Sequence, residues 1–389
     1  MINRMFVVCV LGLSILLGLV ISIGSHGGDY TGFLIAGQRF IDGSFLYQGS
    51  SVGQYVTWPP FFALFISPFS VLSSISPLSA QVTWYLLNAF CVLLSVRIWS
   101  KIVHGIPLFM DSPEVLVPMI CIFLPFLDAA KYLQVTPVIL LLISLSILSL
   151  QDKRPIFSGV CMGCAVALKA YPFLFIFYLL FRKHYKSSIA MVITAFLLTL
   201  LPIFRYGLHP YIENIQAWIN ISFLGGYPVG FFNQSIYAMV CRDLHFIVPV
   251  ATRTMIASWI YRALFVGTVL AFFYKIRKRE PDEAMEGAFF LTLVMVFSPI
   301  AWHHYWILTL GAFFVLQSMW DRWPKVIMGI VVGLMGVPAL LDWTAGYTAV
   351  PVIQAWALRS LSTHTIGAAV LLIALMFCIG KKQYYGWNH

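Results

Sequence analysis

An all-α, polytopic integral membrane protein is the fold class this sequence predicts, and three observations predict it. Hydrophobic residues make up 60% of the 389 and charged residues only 10%, where an ordinary soluble domain carries about 25% charged residues. Apolar runs near the length of a bilayer crossing recur from one end to the other, separated by charged or Pro/Gly-rich breaks. The basic residues are divided unevenly between alternate breaks. Together these exclude a collagen, a disordered tail, a secreted disulfide scaffold and a soluble enzyme of any fold. One membrane domain, 1–389, is expected.

The first run, 5–24, has a signal peptide's apolar core. It lacks a small-x-small cleavage site and eleven further runs follow it, so it reads as a retained first helix. The others lie at 78–98, 114–129, 134–150, 155–169, 171–182, 187–204, 256–275, 284–300, 304–320, 325–342 and 357–378, which makes about twelve transmembrane helices. Several fall short of the ~20 residues of a straight span, so half-helices, tilt or local thinning would supply the difference. The stretch 155–182 reads either as a hairpin or as one long helix. Residues 59–73, PPFFALFISPFSVLS, are short and proline-flanked. An odd number of crossings is needed before the Arg97–Lys101 cluster, so this segment reads as an interfacial or re-entrant helix.

Orientation follows from lysine and arginine. With the N-terminus inside, sixteen of the 24 fall on the cytoplasmic side, in clusters such as Lys153-Arg154, Arg182-Lys183 with Lys186, and Lys275 with Arg277–Arg279. The outer face holds Arg39, Lys131, Lys169, Arg205, Arg242, Arg253, Arg262 and Arg359. This is the positive-inside bias of a multi-pass protein of the cell membrane with both termini cytoplasmic. The net charge of +10 is explained by topology and by contact with anionic headgroups, with no nucleic acid partner. The two long connections, 25–77 and 205–255, both lie outside, and function is expected where the irregular length is.

Six of the seven cysteines fall in apolar runs, so no disulfide framework is expected. Cys161 and Cys164 have redox spacing, yet they lie in the helix-like SGVCMGCAVAL, where small residues serve close helix packing.

Four places could carry chemistry. In HGGDYTGFLIAGQRFIDGSFLY, Asp29 is either an N-cap for a helix from Tyr30 to about Ile41 or a general base at the mouth of a membrane cavity. Asp42-Gly43 is a turn signal. In QYVTWPPFFALFISPF, the two prolines after Trp58 fix an extended entry into a helix, and the aromatics suit the headgroup belt or a sugar-stacking wall. Lys169, in VALKAYPF, points outward on this topology; it either snorkels to lipid phosphates or neutralises a bound phosphate. In MVFSPIAWHHYWIL, His303 and His304 stand beside Trp302 and Trp306 at a proline-marked break. Neighbouring histidines diverge by about 100° on a helix and no HExxH spacing accompanies them, which disfavours zinc and favours hydrogen bonding to a phosphate or hydroxyl. No metal site is assigned. The sequence has no GxxxxGK[ST], no GxGxxG after a strand and no GxSxG elbow, so any substrate must arrive already activated.

The order of these pieces resembles glycosyltransferase family 87, which includes polyprenyl-phosphate-mannose-dependent mannosyltransferases of the GT-C superfamily. The pieces are Asp29 in GGDYTGF, Trp58-Pro59-Pro60, Gln134, Lys169 with Pro172, Asn233-Gln234-Ser235 ahead of Arg242, and Ser298-Pro299 with Trp302-His303-His304. The family often has Gly where this chain has Leu133, and Tyr where it has Trp58.

The resemblance implies a GT-C-type bundle with interfacial helices in the first outer loop. Its reaction would be inverting transfer of a hexose, mannose first, from a polyprenyl-phosphate sugar to a lipid or glycan acceptor on the extracytoplasmic face. Asp29 would be the base. Lys169, His303, His304 and Arg242 would hold the donor phosphate, and Tyr30, Trp58, Gln134, Asn233, Gln234 and Trp302 would line the substrate cavity, with no cofactor. The rival readings are a transporter or flippase of polyprenyl-linked glycans, which would place ionisable groups near the bilayer midplane, and an O-antigen polymerase or ligase, which would place paired arginines in a large outer loop. The sequons at Asn220 and Asn233 are short, and no glycosylation is assigned to them.

Overall fold

The computed structural model describes residues 4–24, 29–49, 56–224, 227–229, 233–244, 247–319, 322–345 and 362–381, and among these the chain is helical with no strand. Gly27, Gly28, Gln54, Tyr55, Arg359 and the 357–361 start of the last apolar run lie outside the described residues. In order, the helices are α1 (Arg4–Gly24), α2 (Asp29–Asp42), α3 (Pro60–Ile75), α4 (Pro77–His104), α5 (Pro113–Cys121), α6 (Phe123–Lys131), α7 (Thr136–Gln151), α8 (Pro155–Leu168), α9 (Phe175–Phe181), α10 (Tyr185–Leu200), α11 (Ile203–Tyr206), α12 (Leu208–Ile219), α13 (Ile236–Asp243), α14 (Val250–Ile276), α15 (Glu283–Val296), α16 (Leu310–Gln317), α17 (Arg322–Ala345) and α18 (Thr363–Cys378). Short 3-10 turns occupy Tyr171–Leu174 and His303–Thr309, and a π turn occupies Asn220–Leu224.

Among the described residues, three stretches are long and apolar enough to cross a membrane: α4, α10 continued through α11, and α14. Five crossings result if the two bent pairs, α1 with α2 and α5 with α6, count as one each. Helices α3, α7, α8, α9 and α18 are apolar but too short for an unbroken crossing, and proline explains two of the breaks. Pro125 has no N–H for the carbonyl four residues back, and the chain bends by 48° between α5 and α6. Pro172 ends α8 in the same way, and this resolves the 155–182 stretch into α8, a 3-10 turn and α9.

The long connections are also helical. The first contains α2 and α3. The second contains α12 and α13, and α14 begins at Val250, six residues before the expected span.

The chain divides into two compact units. The first comprises residues 1–98 and 126–226. Within it, α8 lies tightly against α10 because Gly159 and Gly163 are one turn apart. A Cβ on either would collide with the Ser187 or Met191 carbonyl of α10, which is the small-x-x-x-small packing of membrane helices. Cys161 and Cys164 are free thiols on that same helix. Gly37 brings α2 against α3, where Ser70 Oγ donates to the Leu34 carbonyl at 3.0 Å. The end of α2 turns at Gly43, φ 72°, and Arg205 donates to the Phe40 and Ile41 carbonyls there, a cation on the open carbonyls of a helix C-terminus.

The second unit comprises residues 99–125 and 227–389. Its centre is α15, buried from Ala284 to Val296. Phe272 of α14 stacks on Phe289 of α15 at 4.0 Å, and Gly311 of α16 lies flat against the Trp99 ring.

Candidate functional site

In the first unit, three breaks between helices supply one polar cluster. Asp29 is the first residue of α2, Gln134 stands just ahead of α7, and Lys169 follows the last residue of α8. Gln134 Nε2 donates to Asp29 Oδ2. Gln134 is buried, Lys169 half-buried and Asp29 exposed. Protein packed densely around the Asp29 carboxyl raises its pKa above the usual aspartate value, while the Gln134 hydrogen bond and the Lys169 charge pull it down. Lys169 Nζ lies 5.8 Å from the centroid of the Tyr171 ring.

The turn that presents Gln134 is a Schellman motif closing α6. Leu133 N donates to the Ala130 carbonyl at 3.1 Å and Gln134 N to the Ala129 carbonyl at 3.0 Å. Such a turn needs a left-handed residue, and here that residue is Leu133, φ 49°. Left-handed backbone costs a residue with a side chain about 1–2 kcal/mol. A buried hydrogen bond, worth about 0.5–1.5 kcal/mol, helps hold it: the Trp84 indole N–H donates to the Leu133 carbonyl at 2.6 Å.

Tyr30, beside Asp29, is buried with its ring alongside Trp84, 6.4 Å between centroids and 22° between planes. Tyr30 Oη and Thr136 Oγ1 are buried without a hydrogen-bond partner among the described residues. Trp58 packs edge-on against Phe33 at 4.5 Å and near Phe62 at 5.2 Å, and its carbonyl accepts from Tyr47 Oη at 2.7 Å. Its place is inside this aromatic cluster.

In the second unit the motif residues knit one another together. Asn233, fully buried, donates from Nδ2 to the Pro228 and Pro299 carbonyls at 2.8 and 2.9 Å and accepts at Oδ1 from Ser235 N and Ala301 N at 3.1 and 2.9 Å. Gln234 N donates to the Ala301 carbonyl at 2.8 Å, and the Gln234 carbonyl accepts from Thr365 Oγ1 at 2.7 Å. Ser235 caps α13 through Ala238 N and donates to the Pro299 carbonyl. Arg242 Nη1 donates to the Asn233 and Val229 carbonyls at 2.7 and 3.3 Å, and Nη2 to Ser362 Oγ at 2.7 Å.

Trp302 leads into the 3-10 turn that carries the histidines, its carbonyl accepting from Tyr305 N. There the two rings part company. His303 stacks on His364 at 4.4 Å with 9° between planes, and His304 meets Tyr305 edge-on at 4.9 Å.

Two residues absent from the sequence reading therefore matter: Trp84 in the first unit and His364 in the second. A buried indole N–H needs an acceptor, which is the signal that marks Trp84. His364 has no motif around it. Among the described residues no three His, Cys, Asp or Glu side chains stand close enough to hold a metal ion.

A family model described as Glycosyltransferase family 87 matches residues 56–301, well over half of the chain. No curated protein matches it.

Proposed function

Because the chain belongs to glycosyltransferase family 87, we propose that it transfers a hexose, mannose in the first instance, from a polyprenyl-phosphate sugar to a lipid or glycan acceptor, with inversion, on the extracytoplasmic side of the cell membrane. The observation that carries this reading is the carboxylate of Asp29, on a residue that is exposed as a whole, held by the amide of Gln134 beside the ammonium of Lys169. Asp29 accepts the proton of the acceptor hydroxyl. The hydroxyl oxygen bonds to the anomeric carbon from the side opposite the phosphate, and the carbon–oxygen bond to phosphate breaks with its electron pair leaving on the phosphate. Polyprenyl phosphate, the inverted glycoside and protonated Asp29 result.

The side-chain N–H of a neutral amide such as Gln134 orients a carboxylate base by donating to it, without giving up its proton at neutral pH. Lys169 opposes the charge that grows on the departing phosphate. Tyr30 Oη and Thr136 Oγ1, buried polar atoms on residues next to Asp29 and two beyond Gln134, suit an acceptor rich in hydroxyls. A lipid-linked sugar phosphate brings its own leaving group, so the reaction needs no nucleotide-binding fold, and no cofactor is proposed. The about twelve crossings of a GT-C bundle belong to the same reading, with half-helices such as α8 and α9 sharing the bilayer.

The test is transfer from radiolabelled polyprenyl-phosphate mannose in washed membranes that carry the full chain. Asp29→Asn is expected to lower transfer by about 10²–10⁴ with the protein still present in the membrane at its normal level. Near-normal transfer by that variant removes Asp29 as the base.

A further inference from the structure

We propose that Trp84 is a positioning residue for the Asp29–Gln134 pair, fixing through one indole N–H the turn that aims Gln134 at the carboxylate. The inference rests on the reading of Asp29 as the base. Trp84 belongs to α4 and is fully buried. It reaches both sides of the pair by their chain neighbours: its Nε1 donates to the carbonyl of Leu133, the residue before Gln134, and its ring lies alongside that of Tyr30, the residue after Asp29. Phe33, Phe65 and Phe69 stand edge-on around the indole at 6.3, 6.1 and 4.9 Å, so its N–H has little freedom to point elsewhere.

The need for that bond comes from Leu133. Its left-handed backbone, φ 49°, is one a side chain resists. Relaxation toward a commoner conformation would rotate the peptide between Leu133 and Gln134 and swing the Gln134 side chain off Asp29. The N–H bond and the backbone penalty are of similar size, so the bond, added to the two Schellman bonds, offsets what the left-handed turn costs. The same turn occurs at Lys153, φ 56°, and Lys183, φ 59°, but both of those stand at solvent-accessible ends of helices, away from the acid and amide.

The experiment uses the full chain in membranes with polyprenyl-phosphate mannose as donor. Trp84→Phe keeps an aromatic ring and loses the donor. It is expected to lower kcat by about fivefold to tenfold, the range of one lost buried hydrogen bond, with the donor KM within about twofold. The acid limb of the rate profile should move to higher pH, because Asp29 loses the hydrogen bond that favours its charged form; the charged group facing it, Lys169, stays in place. Adding Leu133→Gly, which removes the left-handed penalty, should restore kcat, whereas adding Leu133→Ala, which keeps the Cβ, should not. If Trp84→Phe accumulates poorly, 3-benzothienylalanine at position 84 makes the same test, since it keeps the bicyclic ring and replaces N–H by sulfur. Unchanged kcat and acid limb, or equal rescue by glycine and alanine, overturns the inference. Transfer that survives Asp29→Asn overturns the reading beneath it instead.

Discussion

The two units use the same kinds of residue at the same kind of place, polar side chains at breaks between apolar helices, to opposite ends. In the second unit the side chain of Asn233 contacts four backbone groups, and Arg242 contacts two carbonyls and a serine hydroxyl. Those hydrogen bonds shape the turn around Pro299 and join it to the start of α18 through Ser362 and Thr365. In the first unit the corresponding polar groups are a carboxylate, an amide and an ammonium from three separate breaks, with the carboxylate bound to a side chain rather than to backbone. A motif built of hydrogen bonds to backbone is architecture. A motif that gathers charged side chains from distant breaks stores electrostatic energy that a substrate can use.

The largest effect that tests this contrast is on stability. Asn233→Ala leaves buried peptide N–H groups unpaired at Ser235 and Ala301 and a half-buried carbonyl unpaired at Pro228, and each buried unpaired group costs about 1–3 kcal/mol. A loss of about 3 kcal/mol or more is expected, read as a lower melting midpoint in detergent or as failure to accumulate. Asp29→Asn, an isosteric change at an exposed position, is expected to leave the midpoint where it is and remove transfer. If Asn233→Ala melts normally while transfer is lost, the second unit's motif does chemistry and the contrast collapses.

Much of the fold is legible in the sequence, because apolar runs and prolines act locally. Each apolar run carries helix wherever it is described, and Pro172 marks the end of α8. The Gly159–Gly163 spacing likewise announces the close packing of α8 that the structure contains. What escapes is long-range. Asp29 and Gln134 are 105 residues apart, and whether Asp29 caps its helix or faces another side chain cannot be seen from its own neighbours. His303 acquires His364 as a stacking partner in the same way. Periodicity also says little about 205–255, where α12 forms after the left-handed Gly207 and buries only Tyr211 and Asn214.

The left-handed residue ahead of Gln134 has a geometric meaning. At the position where the family resemblance leads one to expect glycine, this chain carries Leu133, and the backbone there is left-handed, the conformation glycine adopts without strain. The substitution is tolerated because an indole N–H and two Schellman bonds hold it.

A middle-sized effect sharpens the electrostatic half of the contrast. Lys169→Met removes a positive charge that lowers the Asp29 pKa, so that pKa should rise further. The base works deprotonated, and activity falls as pH drops through its pKa in the folded enzyme; the acid limb of the rate profile should therefore move to higher pH in the variant. Donor KM should also rise by about tenfold, equivalent to about 1.4 kcal/mol of lost phosphate binding. An unmoved acid limb with an unmoved donor KM would return Lys169 to a role in lipid contact.

The smallest effect compares two arginines, one from each unit. Arg205 is exposed and donates to the Phe40 and Ile41 carbonyls at the end of α2. Removing such a cation from a helix C-terminus costs about 0.3–1 kcal/mol, and the interaction is screened by salt. Arg205→Met should therefore lower the melting midpoint slightly, by less at high ionic strength, with transfer kinetics near normal because Asp29 lies at the other end of α2. Arg242→Met in the second unit strips hydrogen bonds from two carbonyls and from Ser362, groups that no salt can screen in place of a lost partner, and its larger loss should be the same at low and high salt. Equal losses for the two arginines, or a salt dependence at Arg242, would mean that Arg242 acts as a charge rather than as a clamp on its own loop.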